Sequence, residues 1–138
     1  AIGAKKFKNC LIIDFGTATT FDVIKKSIYE GGVIAPGVNL SIKNLSQATA
    51  LLPLINLKSN QKSYGKNTIE ALNAGFVWGY EGLINNIIDK IISKSKIKYK
   101  ILLTGGYANF FKRMIKKKAV IDQDITIKGI ANAYKELI

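Results

Sequence analysis

The 138-residue chain has no histidine, a single cysteine and two prolines. Without histidine there is no Ser-His-Asp or Cys-His nucleophile, no imidazole metal ligand and no neutral-pH proton shuttle. Cys10 alone allows neither an internal disulfide nor a thiolate metal cage, which accords with a reducing cytoplasm. No apolar run reaches 18 residues, so no membrane-spanning helix is expected. The opening Ala-Ile-Gly-Ala-Lys-Lys has no initiator Met and too few apolar residues for a signal peptide, and the chain is read as starting in mid-sequence. Acidic residues are also scarce: nine, against 21 basic ones, for a net charge of +12. Only Arg113 among the basic residues is arginine, and bidentate base or phosphate recognition favours arginine, so no specific nucleic-acid partner is expected. Ile, Lys and Asn supply 53 residues, and A/T-rich codons would enrich all three without a functional demand. A weak, salt-sensitive affinity for polyanions follows from the charge in either case.

What remains is one domain's worth of chain. Leu11 to Phe15 reads as a buried strand that meets a turn at Gly16, and the β-branched stretch Thr19 to Ile24 as its return. Residues 27–34 form a third strand, with Gly31 and Gly32 where a side chain would not fit. A helix is expected over Asn39 to Ala50, closed by Pro53, and then a polar loop from Asn56 to Gly65. Asn67 to Ser93 carries an apolar stripe at helical spacing, in which Gly75, Gly79 and Gly82 share a face suited to close approach of another backbone, within the chain or from a second subunit. A strand at Tyr99 to Leu103, a helix at Tyr107 to Lys117, a short strand at Ala119 to Ile121 and a helix at Ile127 to Leu137 complete a mixed α/β pattern.

Two turns carry chemistry. In Asp14-Phe15-Gly16-Thr17-Ala18-Thr19-Thr20-Phe21-Asp22, a carboxylate ends a buried strand and a glycine turn with three threonines follows. Such a hairpin can offer amides and hydroxyls to phosphate oxygens while Asp14 holds a charge-balancing cation. Thr104-Gly105-Gly106 joins a buried strand to a helix and can pack on a nucleoside or accept a phosphate, although an ordinary strand-to-helix turn uses the same residues. Gly65-Lys66-Asn67-Thr68 looks like the end of a Walker A loop, but Asn60 stands where that loop needs glycine. Helix capping by Asn67 or Thr68 is the simpler reading there.

Together the two turns resemble the second phosphate motif and the adenosine motif of the actin-like ATPase and sugar-kinase superfamily. The ordered series of the nine-residue block, Gly31-Gly32-Val33-Ile34-Ala35-Pro36-Gly37, Leu52-Pro53, Gly65-Lys66-Asn67-Thr68 and Thr104-Gly105-Gly106-Tyr107-Ala108 is similar to the C-terminal half of type III pantothenate kinases. The resemblance implies an α/β, ribonuclease H-like domain over residues 1–138, a three-strand antiparallel meander followed by alternating helices and strands. It also implies transfer of the ATP γ-phosphate to the pantothenate hydroxyl, the first step of coenzyme A synthesis, in a cytoplasmic homodimer. By the same resemblance Asp14 would contact potassium or ammonium and Gly16, Thr17, Gly105 and Gly106 would meet ATP, with magnesium accompanying the nucleotide. Thr68 would face pantothenate. The family's Asp-x-Gly-Asn-Thr loop and its Gly-x-Asp-Arg segment, whose aspartate is the catalytic base, do not occur here. They are expected upstream of residue 1, so no catalytic residue is assigned and the chain alone is expected to be inactive. The alternatives are a regulatory or dimerisation module, like the accessory transcription factors this family resembles, and a half-protein complemented in trans.

Overall fold

The computed structural model describes Gly3 and residues 6–138. Strands β1 (Cys10–Phe15), β2 (Ala18–Lys25) and β3 (Ile28–Pro36) form the expected antiparallel meander, and α1 (Val38–Ala48) and α2 (Thr68–Ser95) follow. Then come β4 (Lys100–Gly105), α3 (Ala108–Lys112), β5 (Ala119–Ile121) and α4 (Ile125–Leu137). The five strands make one sheet in the order β3-β2-β1-β4-β5, with β4 parallel to β1 and β5 parallel to β4.

Alternation along β1 divides the sheet into two faces. Leu11, Ile13 and Phe15 join Phe21, Ile101, Leu103 and Phe111 in the main core, covered by Val38 and Ile42 of α1 and by Tyr80, Ile84 and Ile88 of α2. Cys10, Ile12, Ile24 and Leu102 point the other way and meet Ile125 at the start of α4. Among the described residues the second face is thinly covered, which leaves a cleft over β1.

Several boundaries differ from the sequence reading. The first helix stops at Ala48, before Pro53, because Thr49 turns extended and its hydroxyl bonds back to the Leu45 carbonyl at 2.8 Å. The helix expected to reach Lys117 ends at Lys112. Buried Asn85 of α2 bonds the Met114 carbonyl at 2.8 Å and accepts from the Lys116 amide at 2.9 Å, so backbone groups that would continue the helix are already engaged. Gly31 and Gly32 have separate reasons: a side chain on Gly32 would strike the Phe21 carbonyl, whereas Gly31, in open space, holds the φ of +145° at the β2–β3 bulge. Among the described residues, nothing lies within 4 Å of a side chain added at Gly75, Gly79 or Gly82. The glycine face of α2 is therefore open to these residues, and packing among them does not account for it. Among the described residues, no helix is long and apolar enough to cross a membrane.

Candidate functional site

Because β1 and β4 run parallel and adjacent, their C-terminal ends reach the same edge of the sheet. Asp14 pairs with Thr104 and Phe15 with Gly105. The β1–β2 turn is closed by the Gly16 amide donating to the Ala18 carbonyl at 3.1 Å, and the Gly106 amide donates to the Phe15 carbonyl at 3.1 Å. The two turns picked out by sequence are thereby bonded to each other. Gly105 has φ of +90°, and a Cβ there would sit 2.6 Å from the Phe15 carbonyl oxygen, so only glycine fits. Gln123 completes the turn, accepting from the Gly105 amide at 3.1 Å and donating to its carbonyl at 3.0 Å.

A third segment converges here. Gly37, which opens α1, packs so closely on the Thr17 carbonyl that any side chain would collide with it. Thr19 anchors the contact by donating to the Pro36 carbonyl at 3.0 Å. The Tyr80 hydroxyl lies 3.1 Å from the carbonyl oxygens of both Pro36 and Gly37 and 2.8 Å from Ser41 Oγ. Its one proton serves one carbonyl while Ser41 supplies the other bond. Tyr107 reaches back from the β4–α3 turn to bond Asn39 Oδ1 at 2.7 Å.

The threonine cluster consequently separates. Thr17 is exposed at the turn, and Thr20 shares a face with Asp14 as its cross-strand partner. Thr19 is fully buried and committed to Pro36, a structural hydroxyl rather than one offered to a ligand. Asp14 and Asp22 both face the thinly covered side, in a cleft of about 420 Å³ lined also by Ile12, Thr104 and α4. Burial, and secondarily the neighbouring Asp22 charge, raises the Asp14 pKa above the ordinary carboxylate value. The two carboxylates share this cleft as oxygen donors, the kind of group a hard cation takes.

Thr68 lies elsewhere. Asn67 is the cap of α2, accepting from the Glu70 amide at 2.9 Å, while the Glu70 carboxylate accepts from the Lys66 amide at 2.9 Å. Thr68 is the exposed first residue of the helix, about 18 Å along its axis from Tyr80 by the helical rise. The fold thus gathers Asp14, Gly16, Thr17, Gly105 and Gly106 at one edge and leaves Thr68 apart. Sequence reasoning missed Gln123, which no pattern marks, and Tyr80, whose polar tip inside the apolar stripe of α2 was a usable signal.

A family model described as type III pantothenate kinase matches residues 1–90, which include the hairpin, the Pro36–Gly37 turn and Thr68. The chain belongs to the type III pantothenate kinase family. The type III pantothenate kinase of Pelagibacter ubique is 53% identical over 125 residues, which cover 91% of this chain and 50% of that protein. The chain spans about half the length of the curated relatives it matches. Among solved structures, a Campylobacter jejuni protein described as a Baf family transcriptional activator superimposes with TM-score 0.71 at 24% identity, covering 99% of this chain and 62% of that one. A Sinorhizobium meliloti protein described as a 2-dehydro-3-deoxygalactonokinase gives TM-score 0.65 at 14% identity, covering 99% of this chain and 57% of that one. At such identities the likeness is one of fold.

Proposed function

We propose that this member of the type III pantothenate kinase family forms the C-terminal part of an enzyme that transfers the γ-phosphate of ATP to the hydroxyl of pantothenate. Family membership carries the reading, and the convergence of the two glycine turns at one sheet edge supports it. Phosphoryl transfer asks a protein mainly to position groups and neutralise charge. Gly16 and Thr17 would approach the phosphates. Gly106, with open space where a side chain would project, would leave room for the nucleoside beside Gly105. Asp14 would hold potassium or ammonium, whose positive charge offsets the phosphates, and magnesium would accompany the nucleotide. Thr68 would serve pantothenate. Its distance from the other site residues, together with the open glycine face of α2, supports a homodimer in which that helix end and the phosphate edge come together. A cytoplasmic location goes with this reading.

None of Asp22, Asp122 and Asp124 is proposed as the catalytic base, since they correspond to no base position in the family. Two measurements test the proposal. Binding of a fluorescent ATP analogue to the 138-residue chain is expected, weakened by Thr17→Ala. Phosphorylation of radiolabelled pantothenate is expected only when a polypeptide carrying Asp-x-Gly-Asn-Thr and Gly-x-Asp-Arg is supplied. Robust turnover by the chain alone would sink the divided site, and failure of both binding and complementation would sink the kinase reading.

A further inference from the structure

The end of the sheet opposite the glycine turns carries a second feature. Since β1, β4 and β5 are parallel, their N-terminal ends share one edge, and the sequence has placed lysines before each of them. Lys6 and Lys8 precede β1, Lys98 and Lys100 lead into and open β4, and Lys118 precedes β5. These five side chains line a groove of about 680 Å³, and no carboxylate lines it with them.

The lysines are held together rather than merely numerous. The Lys6 and Lys100 ammonium groups both sit on the Phe7 ring, at 4.9 and 4.8 Å from its centre. Ile101 pairs with Ala119, so Lys100 and Lys118, one position earlier on each strand, are side by side. Like charges at adjacent positions of neighbouring strands repel. Asp122 feels the charge of Lys6, but it is bonded to Lys128 at 2.8 Å and lies outside the groove lining. The edge therefore concentrates unbalanced positive charge in one concave place.

We infer that this groove is an anion site for a short linear polyphosphate. The donor set points that way. It consists of ammonium groups, which recognise charge rather than the planar outline that a guanidinium fork reads. The Phe7 ring is already occupied by two lysines, and Tyr99, which lines the groove, is half-buried against the main core, so the groove offers little ring surface to a nucleic-acid base. The site is distinct from the glycine turns and does not depend on the kinase reading.

The test is a titration of the 138-residue chain with inorganic tripolyphosphate, followed by amide chemical shifts at two salt concentrations. Shifts are expected at residues 6–9, 98–101 and 118–120, with affinity falling steeply as salt rises. The triple variant K6Q/K100Q/K118Q should weaken binding at those amides at least tenfold. The control K43Q/K90Q/K135Q removes the same charge from exposed positions elsewhere and should leave it nearly unchanged. K118Q alone, expected to cost several-fold, guards against a fold defect in the triple. Equal weakening in both triples would reduce the effect to diffuse net charge and overturn the site. So would shifts confined to residues 15–17 and 105–106, or tighter binding of a single-stranded oligonucleotide through the same lysines.

Discussion

Gln123 and Gly105 exchange two hydrogen bonds, the side-chain amide of one standing in for a strand partner of the other. The arrangement fixes a glycine whose φ is +90° on the side where the pairing of β4 with β5 has already ended at Leu103 and Ile121. Gln123→Ala should cost about 1 kcal/mol of stability, the usual net worth of such bonds at an exposed position. If the turn meets the nucleotide as proposed, the same variant should weaken ATP binding several-fold while Gln123→Glu, which keeps only the acceptor, falls between. Thermal melting with and without ATP separates the two effects.

Asn85 is the buried polar residue on which the α3–β5 connection rests. Asn85→Leu removes both of its bonds to residues 114 and 116 and leaves a carbonyl and an amide without their partner. A loss of about 2–3 kcal/mol is expected, measured by urea unfolding. Faster amide exchange should appear at Lys116 but not at the glycine turns.

Asp14 gives a prediction in pH. Its pKa in the folded chain lies above the ordinary carboxylate value, so the folded state holds the proton more tightly than the unfolded one. Stability from this group is therefore present at low pH and is lost as pH rises through the unfolded and then the folded pKa. Asp14→Asn should raise the melting temperature at pH 7, and the gain should vanish below about pH 3.8. If Asp14 holds a cation as proposed, the same change should abolish any stabilisation by potassium, and the residue would be maintained at the expense of stability.

The β2–β3 hairpin turns through Lys26 and Ser27, both with positive φ (51° and 65°) and neither glycine. This is the backbone of a turn that prefers Asn-Gly. Ser27→Gly should stabilise the chain by about 0.5–1 kcal/mol, since the bond from the residue 27 amide to the Lys8 carbonyl is a backbone one and survives. A chemical denaturation curve checks it.

Much of this architecture was legible because it is local. The alternation in Leu11 to Phe15, the glycine turns and the apolar stripe of α2 fix strands, connections and one long helix, and the observed limits lie within a few residues of those expected. Adjacency of Asp14 to the Thr104-Gly105-Gly106 turn was recoverable only through resemblance, because it depends on β4 crossing over to lie beside β1. The errors share a cause. The third helix stops early because of Asn85, nearly thirty residues away, and Thr19 leaves the site because of Pro36, across a neighbouring strand. Contacts between side chains and distant backbone have no periodicity to betray them. Thr68 is the opposite case: its local setting, a capped helix start, was read correctly as one alternative, while where that helix start lies relative to the glycine turns is a tertiary matter.

Three polar side chains of α2 hold three different loops. Asn73 bonds the backbone of Lys58 on both its amide and carbonyl, Tyr80 meets the Pro36–Gly37 turn, and Asn85 holds residues 114 and 116. The helix therefore acts as a common ruler on which otherwise unrelated segments are indexed. Slipping it by a single residue, a rise of about 1.5 Å, would displace all three in the same direction. Anything that seats on its open glycine face is thus connected, through one rigid rod, to the turn that packs against Thr17.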